Sequence, residues 1–163
     1  MAILFYSLLV IVLDQISKVI IKSRFNLHET YEALGSILRF VYVQNPGIAF
    51  GFHFSHAWLY AAFAAIASLT LLVYLYRMRQ SRFAFRLALA LILGGAVGNL
   101  IDRLAYGKVV DFIEIGFAGW RWPYIFNIAD IGVTCGMIIL IALTLFEKDE
   151  KESTNMPSGY EAE

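Results

Sequence analysis

The chain is poor in cysteine, in proline and in charge. One cysteine, Cys135, among 163 residues excludes an internal disulfide and leaves no basis for a thiol metal cluster. Three prolines, no internal repeat and no low-complexity run exclude proline-rich and solenoid architectures. Charged residues make up 16% of the sequence, against about 25% in soluble domains. The 13 basic and 13 acidic side chains cancel, so nothing points to nucleic acid or to a polybasic surface. No serine sits in a G-x-S-x-G context, which removes the usual nucleophile elbow.

Apolar residues, by contrast, reach 60% of the chain. They gather in four runs of membrane-spanning length, Ile3–Ile21, Trp58–Tyr76, Phe83–Ile101 and Tyr124–Phe146. The first resembles a secretory leader in hydropathy alone. It lacks a basic n-region, and Asp14 and Lys18 interrupt its apolar stretch, so it reads as a retained helix. The expectation is an all-α integral membrane protein. Four transmembrane helices fill residues 1–146, and residues 147–163 form a polar, disordered cytoplasmic tail.

Between the first two spans, residues 25–57 are too long for a plain turn. "SILRFVYVQN" is rich in β-branched and aromatic residues, which predicts a small external β-rich flap. Asn45, Pro46 and Gly47 end that strand in a turn. "GWRWPYIF", Gly119 to Phe126, has the composition of an interfacial aromatic belt. The hairpin "YRMRQSRFAFR" carries Arg77, Arg79, Arg82 and Arg86. So many arginines in one short loop set it, and both termini, on the cytoplasmic side.

Polar residues inside such spans are expensive, at about 2.5–3.5 kcal/mol each near the membrane centre. Each invites a structural and a functional reading. Asp14 and Lys18 stand at i,i+4, either as a buried ionic link between helices or as contacts to substrate. Gly94 and Gly98 form a G-x-x-x-G pair that admits another helix or a lipid-like ligand. Asn99 and Asp102 share a helical face, and Arg103 follows. An Asp102–Arg103 pair is the expected structural reading, with a lipid headgroup on Arg103 as the alternative. Asn127 and Asp130 lie three apart at the entrance of the fourth span, on one face.

Asp111, in "VVDF", would by itself pass for a turn or cap residue. Asp130 changes that reading. If the intervening segment loops out and back, both carboxylates lie at one membrane face. Two carboxylates within hydrogen-bond reach share one proton and supply an acid and a base together, without metal or covalent nucleophile. Cys135 reads as a packing residue. His28, His53 and His56 lack a partner at metal-binding spacing and read as surface or interfacial groups. A proton-coupled transporter or a non-enzymatic membrane scaffold are the competing classes.

Five motifs, "DQISK", "NPGIAF", "GNLIDR", "VVDF" and "FNIAD", follow one another in the order and setting of bacterial lipoprotein signal peptidases, the signal peptidase II family. The chain resembles that family from about Asp14 to Asp130. The resemblance implies an integral-membrane aspartic endopeptidase with catalytic Asp111 and Asp130. It implies that Asn99, Asp102, Arg103 and Asn127 shape the site, and that Asp14, Lys18, Asn45 and Gly47 serve substrate binding or site architecture. The implied substrate is a diacylglyceryl-modified prolipoprotein, cleaved just before its lipidated cysteine. Membrane lipid and peptide inhibitors such as globomycin are the other implied partners. No cofactor and no metal are expected, and the expected form is a monomer in the bacterial inner membrane with its site near the outer face. Gln44, Pro46 and Ile48 depart mildly from the family pattern in the outer loop.

Overall fold

In a computed structural model, residues 2–47, 57–117 and 119–154 are described. Four helices carry the chain: α1 (Leu4–Arg24), α2 (Ala57–Arg77), α3 (Phe83–Tyr106) and α4 (Ile128–Thr154). All four are long and apolar enough to cross a membrane. Their outward faces are unusual for a water-soluble protein. Phe5, Leu8, Ile16, Phe63, Ile66, Ile138 and Ile141 are each more than half exposed. An apolar solvent accommodates such faces on α1, α2 and α4, and helices satisfy their own backbone polar groups there.

The all-α expectation needs correction. Four antiparallel strands, β1 (Thr30–Leu34), β2 (Leu38–Asn45), β3 (Val109–Phe117) and β4 (Trp120–Arg121), lie in the order β1-β2-β3-β4. The predicted flap supplies β1 and β2. The stretch after the third span, where Asp111 by itself passed for a turn or cap residue, is a nine-residue strand. Its run "VVDFIEI" suits a strand buried on both faces, and residues 109–113 are all buried. Beneath it, Ile21 of α1 packs with Tyr42, Val110, Phe112 and Ile113, which fixes the sheet to the helix ends.

Helix boundaries differ from the apolar runs most at the end of α3 and at both ends of α4. α3 continues past Ile101 to Tyr106 and closes on Gly107, whose φ of 69° is a left-handed cap with its N–H bonded to the Arg103 carbonyl. Asp102 and Arg103 are therefore helical, and the sharp cap delivers the chain straight into β3. α4 starts at Ile128 rather than Tyr124, because Phe126 is claimed by β3: its N–H and C=O both bond Ile113. At its other end α4 runs on to Thr154, so the first part of the expected tail is helical. His53 and His56 lie outside the described residues, as does the tail beyond Thr154.

α3 is the central helix, packed on α1, α2 and α4. The G-x-x-x-G pair serves this packing. A Cβ on Gly94 would meet the Ser7 backbone at 2.8 Å, and one on Gly98 would meet Asp14 Oδ2 at 2.8 Å. The partner those glycines admit is α1.

Candidate active site

At the sheet end of the bundle, three chain segments converge: the end of β2, the start of β3 and the N-terminus of α4. Register places the first two. Asp111 pairs with Val43, and Asn45 with Val109, so Asn45 and Asp111 are diagonal neighbours on one face. Asn45 Nδ2 donates to Asp111 Oδ2 at 2.9 Å. Its own Oδ1 accepts from the Gly47 N–H at 3.0 Å, an Asx turn that ends β2. Gly47 has φ of 108° and lies against the Tyr60 ring, a conformation and a closeness that glycine permits.

The third segment arrives through Phe126. Once that residue is bonded to β3, Asn127 falls directly beside Asp111 and becomes the N-cap of α4. Its Oδ1 accepts from the Asp130 N–H at 3.0 Å, while Asp130 Oδ2 accepts from the Asn127 N–H at 3.1 Å. This is a reciprocal capping box built from Asn and Asp. Asp130 thus helps cap its own helix, which leaves Oδ1 of the same carboxylate for Asn99, which donates from Nδ2 at 2.8 Å. Asn127 Nδ2 meanwhile donates to Asp111 Oδ1 at 2.7 Å. One fully buried residue therefore touches both carboxylates, Asp111 through its side-chain amide and Asp130 through its backbone N–H.

Asp111 is 3% exposed. Its carboxyl is pushed up to about 7, first by burial and next by the charge of Asp130. Hydrogen bonds from Asn45 and Asn127 and the charge of Lys18 act in the opposite direction without cancelling the shift.

A second polar layer lies below this pair. Lys18 Nζ reaches Asp14 Oδ2 at 2.8 Å, Asp102 Oδ2 at 3.0 Å and Asn99 Oδ1 at 2.9 Å. Asp14, Lys18 and Asp102 are at most 1% exposed. Three donors on one ammonium meet three acceptors, so the buried charge is fully satisfied. Each carboxylate also holds backbone. Asp14 Oδ1 accepts from the Ala129 N–H at 2.9 Å, next to Asp130. Asp102 Oδ2 accepts from the Val110 N–H at 3.0 Å, next to Asp111. The buried-link reading of Asp14 and Lys18 holds. The expected Asp102–Arg103 pair does not form, because successive helical residues point about 100° apart and Lys18 faces Asp102 from α1. Arg103 instead donates to the Asn99 carbonyl at 3.2 Å, half-buried, with its Nε unpartnered among the described residues.

A family model described as signal peptidase (SPase) II matches residues 6–146. The chain belongs to the signal peptidase II family. The lipoprotein signal peptidase of Moorella thermoacetica is 39% identical over 140 residues, covering 86% of this chain and 90% of that one. Its counterpart in Burkholderia vietnamiensis is 44% identical over 138 residues, covering 83% and 82%. Two solved bacterial membrane enzymes, determined by the in meso method at 2.3 and 1.9 Å, share the fold. Their TM-scores are 0.76 and 0.74 at 28% and 30% identity; the first covers 99% of this chain and 94% of its own, the second 88% and 92%. A signal peptidase II is a peptidase, and this one is a multi-pass membrane protein.

The ten residues to which the resemblance gave a role all lie at this end of the signal peptidase II bundle. One contributor was overlooked. Gln15 donates from Nε2 to Asp14, to the Gly98 carbonyl and to Asp102 at 3.1, 3.1 and 3.3 Å. Its place inside "DQISK", between two buried charges, was the available signal. His28, with φ of 68°, sits exposed in the β1 approach.

Proposed function

We propose that this signal peptidase II is an aspartic endopeptidase that cleaves diacylglyceryl-modified prolipoproteins just before the lipidated cysteine. The observation that carries the reading is Asn127, whose side-chain amide donates to Asp111 and whose backbone N–H donates to Asp130. Such a bridge aligns two carboxylates at one spot, where only one ionises readily. Asp130, in the first turn of α4, benefits from the helix N-terminus and acts as the anion. Asp111, the more buried of the two and without a helix N-terminus beside it, holds the proton.

In the proposed step, Asp130 takes a proton from water as the water oxygen attacks the scissile carbonyl carbon. Asp111 donates its proton to the carbonyl oxygen, giving a neutral tetrahedral diol. Asp130 then passes a proton to the leaving nitrogen, the C–N bond breaks, and Asp111 regains its proton from the diol hydroxyl as the carbonyl reforms. The products are the signal peptide's carboxyl terminus and a free amino group on the lipidated cysteine. Asn99 and Asn127, whose amides are already fixed by Lys18 and by the capping box, orient the carboxylates and the scissile amide. The acyl chains stay in lipid beside the exposed apolar faces. The arginine hairpin sets both termini in the cytoplasm and the site near the outer face of the inner membrane. The names of the family's relatives support the lipoprotein substrate.

Purified protein incubated with a lipidated precursor is expected to release the signal peptide and expose an N-terminal cysteine. Equal cleavage of the unlipidated precursor would overturn the substrate assignment, and cleavage of neither would overturn the enzymatic one.

A further inference from the structure

The opposite end of the bundle holds a second site of different chemistry. The end of α2 and the starts of α1 and α3 enclose a cleft of about 440 Å³, within the range of about 300–1,000 Å³ of ligand pockets. Ile3, Leu4, Leu72 and Leu75 form its apolar walls, and Arg79 and Arg86 its polar rim. Arg86 Nε is buried without a hydrogen-bond partner among the described residues. Its Nη1 donates to the Arg79 carbonyl at 3.1 Å, which holds the two arginines of the rim together. Arg79 lies with its guanidinium carbon 5.0 Å from the Tyr76 ring centroid. Among the described residues no carboxylate pairs with Arg77, Arg79 or Arg86.

A buried guanidinium N–H left unbonded is costly, and two rim cations above an apolar cleft call for an anion attached to an apolar chain. Topogenic charge alone does not require this arrangement. Orientation needs arginines near the membrane surface, whereas Arg86 is drawn in at the head of a cleft. We propose that this cleft binds one anionic phospholipid, with an acyl chain between α1 and α2 and the phosphate on Arg86 and Arg79. Basic pockets between membrane helices recognise anionic headgroups in this manner. The site is independent of the peptidase chemistry at the other end, and it ties α1, α2 and α3 together where no sheet covers them.

The test uses the full chain in a neutral detergent and native mass spectrometry, titrating phosphatidylglycerol, phosphatidylcholine of the same acyl chains, and inorganic phosphate. One phosphatidylglycerol is expected to stay bound at concentrations where phosphatidylcholine does not, and inorganic phosphate is expected not to displace it. Arg86→Gln is expected to weaken phosphatidylglycerol about fivefold, and Arg77→Gln, which removes an exposed charge from the same hairpin, less than about twofold. Arg86→Lys retains part of the affinity. Leu72→Trp, filling the cleft from an exposed wall position, is expected to abolish the difference between the two lipids, and serves if Arg86→Gln does not fold. Equal retention of both lipids would overturn the proposal. So would equal losses in Arg77→Gln and Arg86→Gln, which reflect diffuse charge, or full competition by inorganic phosphate, which reflects an ion site without a lipid chain.

Discussion

Replacing Lys18 by methionine keeps much of the side-chain volume and removes the one ammonium between Asp14, Asp102 and Asn99. Two carboxylates with no exposed surface then face each other across the gap. Breaking a buried pair by deleting one partner typically costs about 3–5 kcal/mol, because the charge left behind has neither water nor counter-ion. Here two charges are orphaned, but each retains a backbone N–H, from Ala129 or Val110, and a Gln15 contact. Those bonds keep the loss inside that range rather than at twice it. At roughly 2–4 °C per kcal/mol for a chain of this size, the thermal midpoint falls on the order of 10 °C. Tryptophan fluorescence of the detergent-solubilised protein, to which Trp58 on α2 and Trp120 and Trp122 at the sheet contribute, reads this directly. The cause is checked by adding Asp14→Asn. With one orphan charge neutralised, the double variant is expected to be more stable than the sum of the single losses by about 1 kcal/mol or more. A midpoint for Lys18→Met within measurement error of the parent would refute the reasoning, as would strict additivity.

Two further perturbations act on the upper layer. Asn45→Ala removes a hydrogen bond that favours the charged form of Asp111. The group's proton is then held more tightly, so the alkaline limb of the kcat/KM profile, expected near pH 7 in the parent, moves to higher pH; a limb that stays or moves to lower pH contradicts the assignment. Asn127→Ala removes the α4 cap, at about 1 kcal/mol, together with the amide that donates to Asp111. A fall of about 10²–10³ in kcat is expected from loss of such a positioned donor, far more than the modest stability change explains, and single-turnover rates with unfolding curves separate the two.

How far the sequence revealed this arrangement depends on the distance over which each feature acts. The four spans and the Asn45–Gly47 turn were legible because hydrophobic runs and turn residues act locally. The third strand was harder to see. Val109 to Ile113 alternate no polarity, since both faces are buried, and a short apolar run of this kind fits several states until its neighbours are known. Asp102 was matched with the wrong partner for a similar reason. Adjacency in sequence favoured Arg103, while the cation that neutralises Asp102 comes from α1, more than eighty residues away along the chain. Asp130 illustrates the opposite case: its spacing from Asn127 placed both at a helix entrance, and the structure shows that its carboxylate closes the capping box with Asn127, which also donates to Asp111. The Phe126 attachment to β3, which makes those two facts compatible, left no mark that spacing alone reveals.

The central claim is that Asp111 and Asp130 act as one proton-sharing unit on a lipidated precursor. It is tested most directly by measuring signal-peptide release from diacylglyceryl-modified prolipoprotein by the parent, Asp111→Asn and Asp130→Asn, each shown to be folded by its thermal transition. Loss of release in both variants, with their transitions preserved, is the predicted result. Release at the parent rate by either folded variant would contradict it.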